Sequence, residues 1–354
     1  MHYRVPVYNY FCRRFKEVGW EFMVRSNELQ KENTHPVSFD FKEIDFSFWK
    51  YKKEIASLDP HAVILFLHLK DFMIWPLVHW LTFKKIPTLN WTKGANLDAP
   101  DSRLRYHLFN YLHSKCDGII LYSRYEIKHI KEKNRHKIFI ANNTINFDAF
   151  PEITETKEEI KKELGIPFEK VVLSVGRMDV GHRRKKVHHL IEIFRDIKRK
   201  GVGLVIVGSG VNDALLERMN KENTLYLGEI HDENHIRISK LFKMADVFSV
   251  PGHVGLGLVQ AFYWGLPVVT EEGFQPPEIH YLISGRNGFV VPCDDLNELK
   301  NKILSLIEDD DKRREFSLMA KKDITENASV EKMFRGFKNC IESLPSFKEV
   351  LPAE

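Results

Sequence analysis

Two stretches of this 354-residue chain combine residue types and spacing suited to holding an anion. The first is PGHVGLGLVQAFYWGLPVV, residues 251–269. Gly252, Gly255 and Gly257 remove side chains just where an apolar helical run begins near Leu256, with His253 and Val254 inside the loop. Bare backbone N–H groups at a helix start, added to the helix dipole, favour an anion, most naturally a diphosphate. Glycines that merely permit close packing are the alternative. The stretch contains no carboxylate. The second is GRMDVGHRRKK, residues 176–186, in which Arg177 leaves a strand and Lys185 and Lys186 precede a helix. Arginine gives two-pronged phosphate contacts and lysine a compact charge. A basic surface loop explains this stretch alone; beside the glycine loop, the phosphate reading is the stronger one. Further along, Glu278 follows Pro276 and Pro277, where it either caps a helix start against the dipole or meets a ligand. GSGVND (208–213) has Asp213 where a dinucleotide fingerprint needs its third glycine, so a tight turn is the better reading. In the first half, His68 and Asp71 follow one strand, and Lys93 and Gly94 another; each either lines a site or is structural.

These residues follow strands, and the strands alternate with helices. From residue 170 onward, KVVLSV, GLVIVGSG, TLYLGEI, DVFSVPG, LPVVT and GFVVP read as strands. VHHLIEIFRDIKRK, LLERMNK, NHIRISKLFKMA and PPEIHYLISG read as helices between them, and three more helices close the chain. That rhythm means stacked βαβ units on a parallel sheet. The first half alternates less regularly, with strands in AVILFLHL (62–69), IPTLNW (86–91), GIILYS (118–123) and KIFIANN (137–143). The segments DFMIWPLVHWLTF, DSRLRYHLFNYLHSK and RYEIKHIKEK read as its helices. The expectation is an α/β protein of two doubly wound, Rossmann-like domains, with ligands beyond the carboxyl ends of the strands in a cleft where the domains face each other. The boundaries fall at 1–150, 151–328, and a helix and tail at 329–354 that packs back towards the first domain.

Composition narrows the function classes. A net charge of +4 is too small to imply nucleic acid. Cys12, Cys116, Cys293 and Cys340 are widely spaced, which argues against a zinc site or a disulfide framework and fits a reducing cytosol. The N-terminus lacks the pattern of a signal peptide, and no apolar run is long enough to span a bilayer. FMIWPLVHWLTFKK (72–85) has aromatic and basic ends that suit a membrane interface, or it is a helix packed under the sheet.

The ordered set SVGRM…KKVHHLIEIF, LVIVGSG, YLGEI, VFSVPG…GLPVV and PPEI…NGFVV, within residues 170–292, resembles the family-four glycosyltransferases of the GT-B fold. HYRVPVYNYF and DGIILYSRYEIKHI resemble the family's N-terminal segments more loosely. The resemblance implies a UDP- or GDP-sugar donor held by the C-terminal domain and a glycan or lipid-linked acceptor held by the N-terminal one. It implies transfer with retention of configuration, with no metal or other cofactor, in surface polysaccharide or lipopolysaccharide biosynthesis. Arg177 and Lys185 take the family's basic positions at the diphosphate, with Lys186 the fallback. Glu229 and Ile230 stand where the family's backbone meets the nucleobase.

Two departures stand out. The family carries two glutamates eight residues apart around the glycine loop; here those positions are Gly252 and Gln260. Gln260 can still hydrogen-bond a ribose hydroxyl, whereas Gly252 offers only backbone. The family also opens with a strand before the HYRVP element, so the N-terminal sheet is expected to lack its first strand and to gain stability from an upstream extension. The readings carried forward are a cytoplasmic, peripherally membrane-associated glycosyltransferase, a nucleotide-sugar epimerase of similar architecture, and a non-catalytic sugar-nucleotide-binding protein. A dinucleotide oxidoreductase ranks last.

Overall fold

The computed structural model describes residues 4–28, 35–66, 71–95, 102–178, 182–230 and 235–348. The chain divides into two compact units, one of residues 1–144 with 329–354, the other of residues 145–328. In the first unit, helix α1 (Val5–Glu17) leads to strands β1 (Met23–Ser26) and β2 (Asp40–Glu43), which pair in parallel as a sheet of their own. After helix α2 (Phe48–Leu58) come β3 (Val63–Phe66), helix α3 (Ile74–Lys84), β4 (Thr88–Thr92), helix α4 (Arg103–Lys115), β5 (Gly118–Leu121) and β6 (Ile138–Ile140). These four strands form a parallel sheet in sequence order. Strands β4 and β5 are buried throughout, as expected of parallel strands covered on both faces. Helix α3 turns Ile74, Leu77, Val78 and Leu81 into the core and leaves Phe72 and Phe83 68% and 80% exposed at its two ends.

The second unit is the regular half of the chain. Helix α5 (Lys157–Leu164) starts on a reciprocal cap between Thr156 and Glu159 and stops at Gly165 in the left-handed region. Then follow β7 (Lys170–Val175), α6 (His182–Lys185), α7 (Val187–Asp196), β8 (Val202–Val207), α8 (Asp213–Arg218), β9 (Thr224–Tyr226), α9 (Ile236–Met244) and β10 (Val247–Ser249). Helix α10 (Leu256–Tyr263), β11 (Val268–Glu271), β12 (Gly288–Val291), α11 (Leu296–Glu308) and α12 (Asp310–Asn327) complete it. The six strands are parallel, in the order β12-β11-β10-β7-β8-β9. One apolar cluster lies on each face, built around Phe242, Phe248 and Phe262 on one side and Leu190, Phe194 and Leu299 on the other.

Helix α13 (Val330–Glu342) belongs to the first unit. Its buried residues Val330, Met333, Phe334, Phe337, Cys340 and Ile341 repeat at helical spacing and join Phe11, Phe15, Trp91 and Tyr122 in one cluster.

Two segments expected as α-helices take the tighter 3-10 form. RYEIKHIKEK becomes Arg124–His129 and Glu132–Lys137, broken by extended backbone at Ile130 and Lys131. Ile127 and Ile130, three apart, meet the same small core with Ile119 and Leu121, and a three-residue period satisfies that spacing. PPEIHYLISG forms only Pro277–Tyr281, because the chain must turn at Gly285 to enter β12.

Candidate active site

The order of the second sheet fixes where a ligand can sit. From β7 the chain moves outward to β8 and β9, then crosses back to place β10 on the other side of β7. Loops leaving β7 and β10 therefore diverge, which opens a crevice at their carboxyl ends. The two stretches singled out in the sequence follow these two strands.

Glycine at two positions lets the loops close on one another. A Cβ on Gly208, at the end of β8, would stand 1.9 Å from the Gly176 carbonyl oxygen, and Gly208 has φ +129°. A Cβ on Gly252 would stand 2.0 Å from the Arg184 carbonyl oxygen. Gly252 N–H donates to the Lys185 carbonyl (3.1 Å), and His253 N–H to that of Arg184 (2.7 Å). The glycine loop is thus bonded, backbone to backbone, to the end of α6. Gly255, with φ +61°, is the N-cap of α10 and has no side chain to cap it; the Leu258 N–H turns back to the Gly255 carbonyl (3.2 Å), which leaves the N–H groups of Leu256 and Gly257 to face a ligand.

Lys185 lies beneath this loop. Its Nζ donates to the carbonyls of His253 (2.6 Å) and Val254 (3.3 Å), which leaves one of three ammonium hydrogens. Burial, and then the charges of Arg184 and Arg177, lower its pKa to about 8, against the pull of Glu278. Arg177 itself is exposed at the exit of β7. The structure therefore gathers Arg177, Lys185, Gly252, His253, Val254, Gly255, Leu256 and Glu278. Glu278 is buried on the first turn of the 3-10 segment. Gln260 is half-buried on α10, one turn beyond Leu256. Glu229 and Ile230 follow β9, three and four residues after Tyr226, with Glu229 exposed and Ile230 packed on the core.

Lys186 is drawn elsewhere. In the left-handed region at φ +52°, it donates to Glu271 Oε2 (2.7 Å), Asp294 Oδ1 (2.6 Å) and Cys293 Sγ (3.2 Å). It anchors the junction of α6 and α7 through these partners, whereas Lys185 bonds to the carbonyls of the glycine loop. Of the residues picked out in the first unit, His68 lies outside those described. Lys93 is partly buried just after β4, and Gly94, at φ +76°, is pressed to 3.1 Å (from its Cβ position) of the Glu126 carbonyl. Asp71 accepts from Tyr51 Oη (2.7 Å) and Met73 N–H (3.0 Å), a structural role.

Sequence reasoning missed Gln275. Its Nε2, with two hydrogens, lies within donating distance of Gly252 O (2.8 Å), Thr270 Oγ1 (2.9 Å) and Glu271 O (2.9 Å), while its Oε1 accepts from Val254 N–H (3.1 Å). Thr270 Oγ1 lies 2.8 Å from Val250 O. This amide fixes the glycine loop from the β11 side. A lone glutamine between an aromatic residue and two prolines gives no pattern from which that role could be read.

Residues 156–323 match the family described as glycosyl transferases group 1. An uncharacterized glycosyltransferase of Methanocaldococcus jannaschii is 25% identical over 294 residues, covering 75% of this chain and 70% of that protein. The capsular polysaccharide biosynthesis glycosyltransferase CapM of Staphylococcus aureus is 26% identical over 340 residues, covering 80% and 83%. Among solved structures, HepE of Anabaena in complex with UDP superposes with a TM-score of 0.72 at 15% identity, covering 86% of this chain and 87% of that one. The parallel α/β architecture is that of the GT-B fold, and residues 156–323 of this chain are similar to the group 1 glycosyl transferases.

Proposed function

We propose that this transferase takes its sugar from a nucleoside diphosphate sugar and that the diphosphate lies between Arg177, Lys185 and the start of α10. The observation that carries this reading is the position of Lys185 Nζ, bonded to two carbonyls of the glycine loop and 3.9 Å from the Cβ position of Gly255. One ammonium hydrogen, the first-turn N–H groups and a nearby guanidinium converge where charge develops on a departing diphosphate. In this role they do what a divalent cation does in other transferases. The same reading has transfer proceeding with retention and without a resident metal, towards a glycan or lipid-linked acceptor held by the first unit. Phe72 and Phe83, exposed at the ends of α3 beside Lys84 and Lys85, support a peripheral membrane contact for a lipid-linked acceptor.

The test is a panel of UDP- and GDP-sugars, with sugar release or transfer as the readout. Arg177→Ala and Lys185→Ala each lower the rate by about 10²–10³, the effect of losing one oxyanion donor. Wild-type rates in both variants would remove the assignment. Formation of an epimeric nucleotide sugar without acceptor would replace it.

A further inference from the structure

Helices α3 and α4 present an outer surface that the core of the first unit does not use. Strands β3, β4 and β5 are parallel neighbours in sequence order, and right-handed crossovers between them put both helices on the same face of the sheet. Leu77, Val78 and Leu81 of α3 meet Leu112 of α4 there in one apolar cluster. Each helix also carries a stripe on its outer side. Phe72, Pro76, His79 and Phe83, all exposed, follow the helical spacing of four, three and four. Leu104, Leu108, Tyr111 and Lys115 repeat that spacing on α4, with Leu104 71% exposed. Tyr111 Oη lies 2.9 Å from His79 Nε2, so the two stripes run side by side.

Charge on this face has one sign. Neither α3 nor α4 contains an aspartate or a glutamate. Lys84, Lys85, Arg103 and Arg105 are exposed at the helix ends, and Lys115 Nζ stands 5.6 Å from the centre of the Tyr111 ring. Of the described acids that flank the helices, Asp71 is buried against Tyr51, and Asp117 accepts from Thr88 N–H (2.8 Å). Exposed apolar side chains rimmed by charge mark an interaction surface. A second copy of this face would set the cations against their like. Long, flexible basic side chains around leucine and phenylalanine suit a fluid anionic surface, into which the apolar groups sink while the charged heads stay among the lipid phosphates.

We infer that the α3–α4 face docks on a bilayer that contains anionic lipid. Phe83, Leu104 and Leu108 enter the headgroup region, and Lys84, Lys85, Arg103 and Arg105 meet the lipid phosphates. The membrane contact at the ends of α3 thereby widens to two helices and comes to depend on lipid charge.

The experiment is co-flotation of the full-length protein with vesicles of phosphatidylcholine alone or mixed with phosphatidylglycerol. Each cation near an anionic surface is worth about fivefold, so the wild type favours the mixed vesicles by about tenfold or more and loses that preference in high salt. Arg103→Gln combined with Arg105→Gln weakens binding to the mixed vesicles by about tenfold or more. Phe83→Gln and Leu104→Gln, at exposed positions, each weaken it by about tenfold with an unchanged thermal midpoint. Leu318→Gln, at a similarly exposed leucine on α12 of the other unit, binds as wild type does. A wild type that floats equally with both vesicles, or with neither, which would leave this face to an acidic protein, overturns the inference. So does Phe83→Gln or Leu104→Gln binding as tightly as wild type, or Leu318→Gln losing as much as they do. Vesicle binding needs no donor sugar, so this inference and the transferase reading, from which the membrane contact is taken up, fail separately.

Discussion

The titration of Lys185 offers a quantitative test of the diphosphate site. In the free protein its pKa is lowered to about 8, first by burial and then by Arg184 and Arg177. A bound diphosphate favours the ammonium, so binding selects the protonated form. The affinity then falls by the factor 1 + 10^(pH − 8) for as long as the bound pKa stays above the working pH. Between pH 7 and pH 9 that is a loss of about tenfold, or about 1.4 kcal/mol. The ligand does not compensate, because a terminal phosphate has a second pKa of about 6 and is ionised across most of this range. Calorimetric titration with UDP or GDP at pH 7, 8 and 9, in buffers of different ionisation enthalpy, shows uptake of about half a proton at pH 8. Lys185→Arg stays charged and gives a flat profile. The ligand-free protein moves in the opposite direction. With the folded pKa below the unfolded one, the unfolded chain holds more protons between pH 8 and about 10.4, so stability from this group rises with pH there. Wild-type affinity that is level from pH 7 to 9, or an arginine variant that falls in parallel, would refute a protonated Lys185 at the diphosphate.

Substitutions at three positions test the contacts that shape the site. Gly252→Ala puts a methyl group 2.0 Å from the Arg184 carbonyl oxygen, so the loop must part from α6. The expected loss is about 1–3 kcal/mol of stability in denaturant unfolding, with weakened nucleotide binding. Gly208→Ala combines a clash at 1.9 Å with φ +129°, and should destabilise by about 3 kcal/mol or more, read as a fall in thermal midpoint. Gln275→Leu strips the partner from Val254 N–H and three acceptors, a loss of about 2–3 kcal/mol. Gln275→Glu is worse than Gln275→Leu, because it sets a carboxylate against the Gly252 and Glu271 carbonyls; equal stability of the two variants would contradict the hydrogen-bond assignment.

Much of the second unit is legible in the sequence for a physical reason. Strands such as KVVLSV and VGLVIV are covered on both faces and must be apolar throughout, so they stand out as unbroken runs. The crevice is legible for a related reason, since close approach of two backbones admits only glycine, as at Gly208 and Gly252. The first unit hides more. MVRS and DFKE pair with each other but bury little, and their charges mask the alternation that marks a strand. The division of labour between Lys185 and Lys186 was also hidden. Adjacent lysines in a sequence are equivalent until the backbone at residue 186 turns left-handed and sends the two ammonium groups to different partners.

That division bears on the carboxylate-free loop. Gly252 stands where the resembling family has a glutamate, and in this chain its N–H bonds to the Lys185 carbonyl while the Arg184 carbonyl leaves no room for a side chain. A charged acid is therefore excluded sterically, whatever the sugar. The group that braces the loop instead is the neutral amide of Gln275, which donates to carbonyls and adds no negative charge beside Lys185. Glu271, at the end of β11, is fully buried and already bonded to Lys186 and His189. Burial would raise its pKa, yet bonds from His189, Lys186 and the Asp294 N–H outweigh that and lower it. Glu278 is the acid whose charge opposes the fall in the Lys185 pKa. In the proposed donor site, a loop built this way keeps its positive field for a diphosphate. Recognition of a sugar then falls to backbone and amide hydrogen bonds, whose strength does not depend on pH.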